Sequence, residues 1–264
     1  MMVSNIGRLQ LYLRQYLGIE NRQYSKTRRI IDMDYNLISK LYDITSLTGY
    51  SDEEITELTA GFSEIPAALM SFWKKCGGTD KLFTSSNDPW VNLPWCRQYK
   101  YMQDPSCGYY FLLDENQCVY RCGIRLEDMS IDDPPVYVVE PLPEGNLREV
   151  GLAASSVTEF IMGMLIYEAG MGAIPYIRED IICYSFENIK RIESLLKKLP
   201  YHIYNWYCDR IDFYTHSGNE VLFIMMSEDP NGTYSANSKD TYEKFNALVG
   251  NIGSYSTDFS GGNR

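Results

Sequence analysis

The chain has 264 residues, 45% hydrophobic and 22% charged, which is enough to bury a sizeable core without disulfide or metal staples. Lys plus Arg number 24 against 35 for Asp plus Glu, a formal net charge of −11, and this balance disfavours nucleic acid and anionic membrane surfaces while favouring a cationic partner or plain solubility. Seven cysteines with no C-x-x-C pair, and only His202 and His216 to join them, read as reduced cytosolic thiols rather than a disulfide framework or a metal site.

Residues 1–48 read as a helical extension packed on the domain. Helical spacing runs from Ile6 to Leu17 and from Tyr35 to Leu47, with the solvated basic stretch Lys26, Arg28 and Arg29 between them. Arg8 and Arg14 interrupt the apolar residues there, so no secretory signal is expected. Ser51 followed by Glu54 has capping-box spacing and opens a short helix that ends near Gly61. In EIPAALMSFWKKCGG, Pro66 suits a first helical turn, Leu69, Met70, Trp73 and Cys76 line one face, and Gly77 is expected to supply a left-handed stop before Gly78. From Gly78 to Gly108 the pattern breaks into a long irregular segment. Its Trp90 and Trp95 fit either burial against a sheet edge or a partner-binding hot spot.

Tyr109 to Val139 reads as the centre of the sheet, with two polar interruptions. Tyr109 to Leu113 is a buried strand, and from Cys118 the even and odd positions alternate between faces. Cys118 and Cys122 share a face at a spacing too long for a disulfide. Asp132, Asp133, Pro134 and Pro135 form a rigid turn before a strand restarts at Val136, because proline donates no ladder hydrogen bond. The most apolar window, Val157 to Ile177, contains Glu159, Glu168 and Pro175 and is a poor membrane span. It reads instead as a capped helix, opened by Ser156 and Glu159 and ended by Gly170 and Gly172. A further helix is expected from about Phe186 to Leu199, stopped by Pro200. Tyr201 to Tyr207, Arg210 to Thr215 and Glu220 to Met226 read as strands, the last two joined by a hairpin at Ser217 to Asn219. A short helix carries Tyr242, Phe245, Leu248 and Val249, and residues 250–264 read as a disordered tail.

Little catalytic chemistry is visible. Both histidines lie late in the chain, no G-x-S-x-G elbow occurs, and there is no Walker loop, dinucleotide fingerprint or clustered metal-ligand set, so no cofactor or metal is expected. The carboxylate pairs Asp114 with Glu115 and Asp132 with Asp133 have the composition of an acid and base pair, but nothing specific surrounds them.

The helix IPAALMSFWKKCGG, followed by an irregular segment, YYFLLDENQCVYRCGIRLEDMSIDDPPVYV and the capped helix SSVTEFIMGMLIYEA, resembles the SUKH superfamily of bacterial immunity proteins. The likeness covers about residues 50 to 250, and Cys122 stands where that family often has Trp. It implies one α+β domain over residues 49–249, with a central mixed or antiparallel sheet flanked by helices. It also implies a cytoplasmic, non-catalytic protein that binds and neutralises a cognate toxin domain such as a nuclease or deaminase. The alternative within the same family is a regulatory or scaffold module that binds another cytosolic protein. Pro66, Gly77, Gly78, Asn116, Gln117, Gly123, Pro134 and Pro135 are its motif positions. Candidate contacts to a basic partner are Asp132, Asp133, Glu115, Asp128, Trp90 and Trp95. Glu115, Asn116 and Gln117 admit two jobs, holding the loop backbone or facing the partner.

Overall fold

One almost wholly buried, mostly apolar helix lies at the centre of the computed structural model of this chain, which describes residues 33–83, 105–115, 117, 119–142 and 145–255. This helix, Val157–Glu168, buries eleven of its twelve residues. A helix with apolar residues on every side must be enclosed by other elements, and here helices and both sheets meet it. In chain order the helices are α1 (Tyr35–Leu41), α2 (Asp52–Thr59), α3 (Ala67–Phe72), α4 (Val157–Glu168), α5 (Phe186–Leu195) and α6 (Lys239–Val249). The strands are β1 (Tyr109–Asp114), β2 (Arg121–Arg125), β3 (Val136–Pro141), β4 (Leu147–Ala154), β5 (Tyr176–Ile177), β6 (Ile182–Cys183), β7 (Lys197–Tyr204), β8 (Arg210–Thr215), β9 (Glu220–Met226), β10 (Asn231–Ala236) and β11 (Ser254–Tyr255).

The class is α+β, with antiparallel strands divided between two sheets. The first runs β1-β2-β3-β4, and the second runs β11-β6-β10-β9-β8-β7 with β5 also on β10. β4 lies beside β7, where Asn205 Nδ2 donates to the Leu152 carbonyl at 2.8 Å. α4 packs on α3, β4, β7 and β8. Ile203, Ile211, Phe213, Val221 and Phe223 face the core that contains it, whereas Tyr214, Leu222, Ile224 and Tyr234 face a second core with Ile192 of α5 and Phe245 of α6. Strands covered on both faces carry continuous apolar runs, which is how Glu220 to Met226 reads. The β8–β9 hairpin is pinned from inside. Buried Glu220 accepts from the backbone N–H groups of His216 at 2.7 Å and Ser217 at 2.6 Å, while Gly218 takes φ +89°.

Several expectations hold. Ser51 and Glu54 form a complete capping box, α2 ends before Gly61, Pro66 caps α3, and α4 passes into a π-helical turn that Gly172 ends at φ +108°. α1 is shorter than expected, and its Ile38 and Leu41, with Tyr42, belong to the main core. The stretches 6–17 and 84–104 lie outside the described residues.

Other expectations are corrected. Gly77 does not take a left-handed conformation. α3 runs on through a π-helical turn, Trp73–Gly77, and a Cβ on Gly77 would stand 2.6 Å from the Tyr50 ring, so the glycine is there for close packing. The helix expected to reach Leu199 ends at Leu195, and Lys197–Tyr204 is strand β7 with Pro200 inside it. Pro200 falls within a register break between Lys198 and His202 on the outermost strand, where a missing N–H donor is tolerated. β4 and β10 were not expected. β4 is mostly exposed over its first half, and β10 begins with Asn231 and Gly232, residue types commoner in turns than in strands. Residues 250–255, expected to open a disordered tail, are part of the fold, because Ile252 is buried and β11 pairs with β6; residues 256–264 lie outside the described residues.

Gly232 explains why β10 can occupy the middle of the larger sheet. A Cβ there would stand 1.9 Å from the Phe223 carbonyl oxygen, a backbone atom that cannot rotate away. Gly232→Ala is therefore expected to cost at least about 2 kcal/mol by overpacking, read as a lowered urea midpoint with unchanged slope.

Candidate functional site

The turn Asp132–Pro135 sits where two helices begin. Pro134 and Pro135 are buried, a location that suits residues with no backbone donor to satisfy. The Asp132 carbonyl accepts from Ala68 N at 2.9 Å, in the first turn of α3, and Asp133 Oδ1 accepts from Thr158 N at 2.9 Å, in the first turn of α4. Helix N-termini leave such donors without intrahelical partners and favour negative charge. Burial pushes the Asp133 carboxyl up, and hydrogen bonds from Thr158, Ser156 and Val157 pull it back down. Ser156 Oγ meanwhile accepts from Glu159 N at 3.1 Å, and Glu159 turns back to Ser155 N at 2.9 Å. The start of α4 is thus capped by three side chains.

The first polar interruption is also built from the inside. Glu115 is buried, with Oε2 accepting from the backbone N–H groups of Gln117 at 2.9 Å and Val119 at 3.1 Å. This corrects its assignment as a partner contact: a carboxylate turned into its own loop holds the loop. Gln117 is exposed, and Asn116 lies outside the described residues, as do Trp90 and Trp95. Asp114 is buried against Arg121, 3.0 Å away. Gly123 is buried in the middle of β2, with Tyr110 O and the Phe111 ring close on either side.

What the structure brings together is a broader acidic face. Residues 51–67 contain Asp52, Glu53, Glu54, Glu57 and Glu64, and residues 126–135 contain Glu127, Asp128, Asp132 and Asp133, with no Lys, Arg or His in either stretch. The bond from Ala68 to the Asp132 carbonyl joins the end of the first stretch to the second. Asp52, Glu53, Glu57, Glu64, Glu127 and Asp132 are exposed, as is Ile131, and Asp128 is half-buried. Partial burial pushes the Asp128 carboxyl up, and the Arg125 guanidinium pulls it down. Arg125 is itself held by Glu149 at 2.7 Å and lies over the Tyr137 ring at 4.1 Å. Asp133, the other member of the expected contact pair, is committed to α4. α2 was read only as a helix, although its run Asp52, Glu53, Glu54 was a visible signal.

A third carboxylate was missed altogether. Asp212 of β8 is almost completely buried, with Lys198 Nζ at 2.7 Å, His202 Nδ1 at 2.9 Å and Arg210 Nε at 2.8 Å. Hydrogen bonds from His202 and Lys198, with the charges of Arg210 and Lys198, outweigh burial and hold the carboxyl down at about 2. A half-open cleft of about 490 Å³ lies between the β8–β9 hairpin and α6, lined by His216, Asn219, Asp240, Lys244 and Leu248 among others. Its buried acid, Glu220, is taken up by the hairpin.

The carboxylate pairs Asp114 with Glu115 and Asp132 with Asp133 are kept apart by the register. Asp114 pairs with Arg121, and Arg121 with Val139 on β3, while Asp133 precedes the opposite end of β3 at Val136. Among the described residues no cluster of His, Cys, Asp and Glu could hold a metal ion, and no helix is long and apolar enough to cross a membrane. No protein-family model, curated protein or solved structure matches the chain.

Two outcomes follow from these carboxylates. Asp133→Ala should lower stability by about 1 kcal/mol, as loss of a helix N-cap does, measured by urea unfolding at neutral pH. Asp212 has a folded value of about 2 against an ordinary 3.8. A depressed acid contributes stability above its unfolded value and loses it as the pH falls. Stability on the order of 2 kcal/mol should therefore disappear between about pH 4 and pH 2, and Asp212→Asn should flatten that part of the pH profile.

Proposed function

We propose that this protein is a SUKH-like immunity protein that binds and neutralises a bacterial toxin domain with a basic surface, such as a nuclease or deaminase, without catalysis of its own. The observation that carries the reading is the set of exposed carboxylates Asp52, Glu53, Glu57, Glu64, Glu127 and Asp132, drawn from two stretches tied together at the Asp132 turn, with Arg125 beside Glu127 as the nearby cation. A predominantly acidic patch of this kind accelerates encounter with an oppositely charged partner and disfavours partners of like charge. Ile131, 43% exposed between Asp128 and Asp132, supplies an apolar contact at the face. The order of the Pro66 helix, the Asp114–Gln117 loop and the Asp132–Pro135 turn supports the family, and the family supplies the toxin as partner class.

The support elements suit such a role. Asp132 projects from a turn whose backbone is fixed by two buried prolines and two helix starts, so little order has to be gained on binding. The test is co-expression with the toxin encoded beside this gene, followed by association kinetics with the purified toxin domain. Protection of the cell is expected, and continued killing despite soluble protein defeats the reading. The double variant Glu53→Lys with Asp132→Lys should slow association about tenfold or more at low salt, with a smaller difference at 0.5 M salt. If the gene stands beside no toxin gene and the protein instead captures a cytosolic regulator through the same face, the regulatory alternative replaces the toxin.

A further inference from the structure

The opposite charge is collected elsewhere, at the corner between α5 and the edge strand β7. Elsewhere six described cations are paired with carboxylates: Arg121 with Asp114, Arg125 with Glu149, Arg148 with Glu140, Arg178 with Asp180, Lys239 with Glu243 and Lys244 with Asp240. At this corner three cationic or potentially cationic side chains, Lys198, His202 and Arg210, share the single carboxylate of Asp212. Among the described residues the other carboxylate within ion-pair distance is Glu193, 3.7 Å from Lys198 and 3.3 Å from the Tyr214 hydroxyl. Lys190 and Arg191 of α5 and Lys197 of β7 are exposed and have no carboxylate partner among the described residues.

The local chemistry is rich in donors and poor in acceptors. Asp212 takes one N–H of Lys198, one ring nitrogen of His202 and one side of the Arg210 guanidinium. Arg210 Nε lies close to Oδ1 but out of line for a hydrogen bond, and has no other acceptor among the described residues. The side chains of Lys198, His202 and Arg210 are 35%, 23% and 34% exposed, although Arg210 Nε is itself buried. β7 is the last strand of its own sheet, with β4 of the other sheet beside it. Asp212 fixes the three groups side by side, and Tyr204 closes one flank with its ring 6.0 Å from that of His202.

We infer that Lys198, His202 and Arg210, positioned by Asp212, form a binding site for a phosphate monoester. A guanidinium fork beside an ammonium and an imidazole suits a tetrahedral oxyanion, which accepts several hydrogen bonds at once. A phosphate would accept from the donors that Asp212 leaves unused on Lys198, His202 and Arg210. Lys190, Arg191 and Lys197 raise the local potential and favour its approach. This site is independent of the acidic face and of the toxin reading.

The experiment is NMR titration of the full chain with inorganic phosphate and with AMP, following the His202 ring and Arg210 side-chain signals at fixed ionic strength. Saturable shifts at these groups are expected with both probes. Tighter binding of AMP would place the site on a nucleotide, and equal binding would place it on the phosphate alone. Lys198→Met should weaken binding about tenfold, the loss of one charge-assisted hydrogen bond, with the thermal midpoint recorded to establish folding. Arg191→Gln with Lys197→Gln leaves Asp212 untouched and should weaken binding about threefold. Shifts that never saturate, or saturable shifts unchanged in both variants, overturn the site.

Discussion

The burial of α4 is the constraint on which the rest depends. A helix with apolar residues on every side cannot rest on a surface, so the two sheets and α3 must close around it. Its first-turn N–H groups are then far from bulk water and need acceptors from the protein itself. Asp133, Ser156 and Glu159 provide them or fix the adjoining backbone. Near its other end the Tyr42 hydroxyl donates to the Leu165 carbonyl at 2.7 Å, which ties the α1 segment to the same helix. The Asp132–Pro135 turn is rigid for this reason. It is a part of the core that reaches the surface.

The same rule, that a buried carboxylate must be answered, sorts the acids of this chain into two populations. Glu115 and Glu220 are answered by backbone N–H groups of their own loops, Asp133 by the start of a helix, and Asp114 and Asp212 by cations. These acids build structure and contribute nothing to an outward field. Asp52, Glu53, Glu57, Glu64, Glu127 and Asp132 are exposed where a partner can meet them, Glu127 with Arg125 3.7 Å away. Net charge alone could not separate the two, because burial and pairing decide which charges the solvent sees.

How much was legible follows from how local each signal is. Caps are local: Ser51 with Glu54, and the glycine and proline boundaries of α2 and α4, are set within one helical turn and were readable. The β8–β9 hairpin was readable for the same reason. The second half of β7 was read as strand, but Lys197 to Leu199 was taken for helix because Leu195, Leu196 and Leu199 continue a helical period, while the pairing that makes it a strand comes from β8, beyond the turn at 205–209. β10 was hidden because Gly232 looks like a turn residue until Phe223 lies against it. At the site, Asp132 was readable as an exposed acid on a proline-fixed turn. The commitment of Asp133 depends on a helix 25 residues further along the chain, and no local pattern announces that.

The two charged regions are related through the scaffold that separates them. The acidic face lies on the α2 and α3 side of the first sheet, tied to it by Tyr110, whose hydroxyl donates to the Leu58 carbonyl at 3.1 Å. The cationic corner lies on the second sheet, on the strand farthest from β11. Each is anchored by a carboxylate turned inward, the half-buried Asp133 beneath the acidic turn and the buried Asp212 beneath the cations. In both places an inward-turned acid fixes the backbone or the side chains that carry the surface charge. Interior electrostatics therefore set the geometry of the exterior field, and a partner meets charges whose positions are established before it arrives.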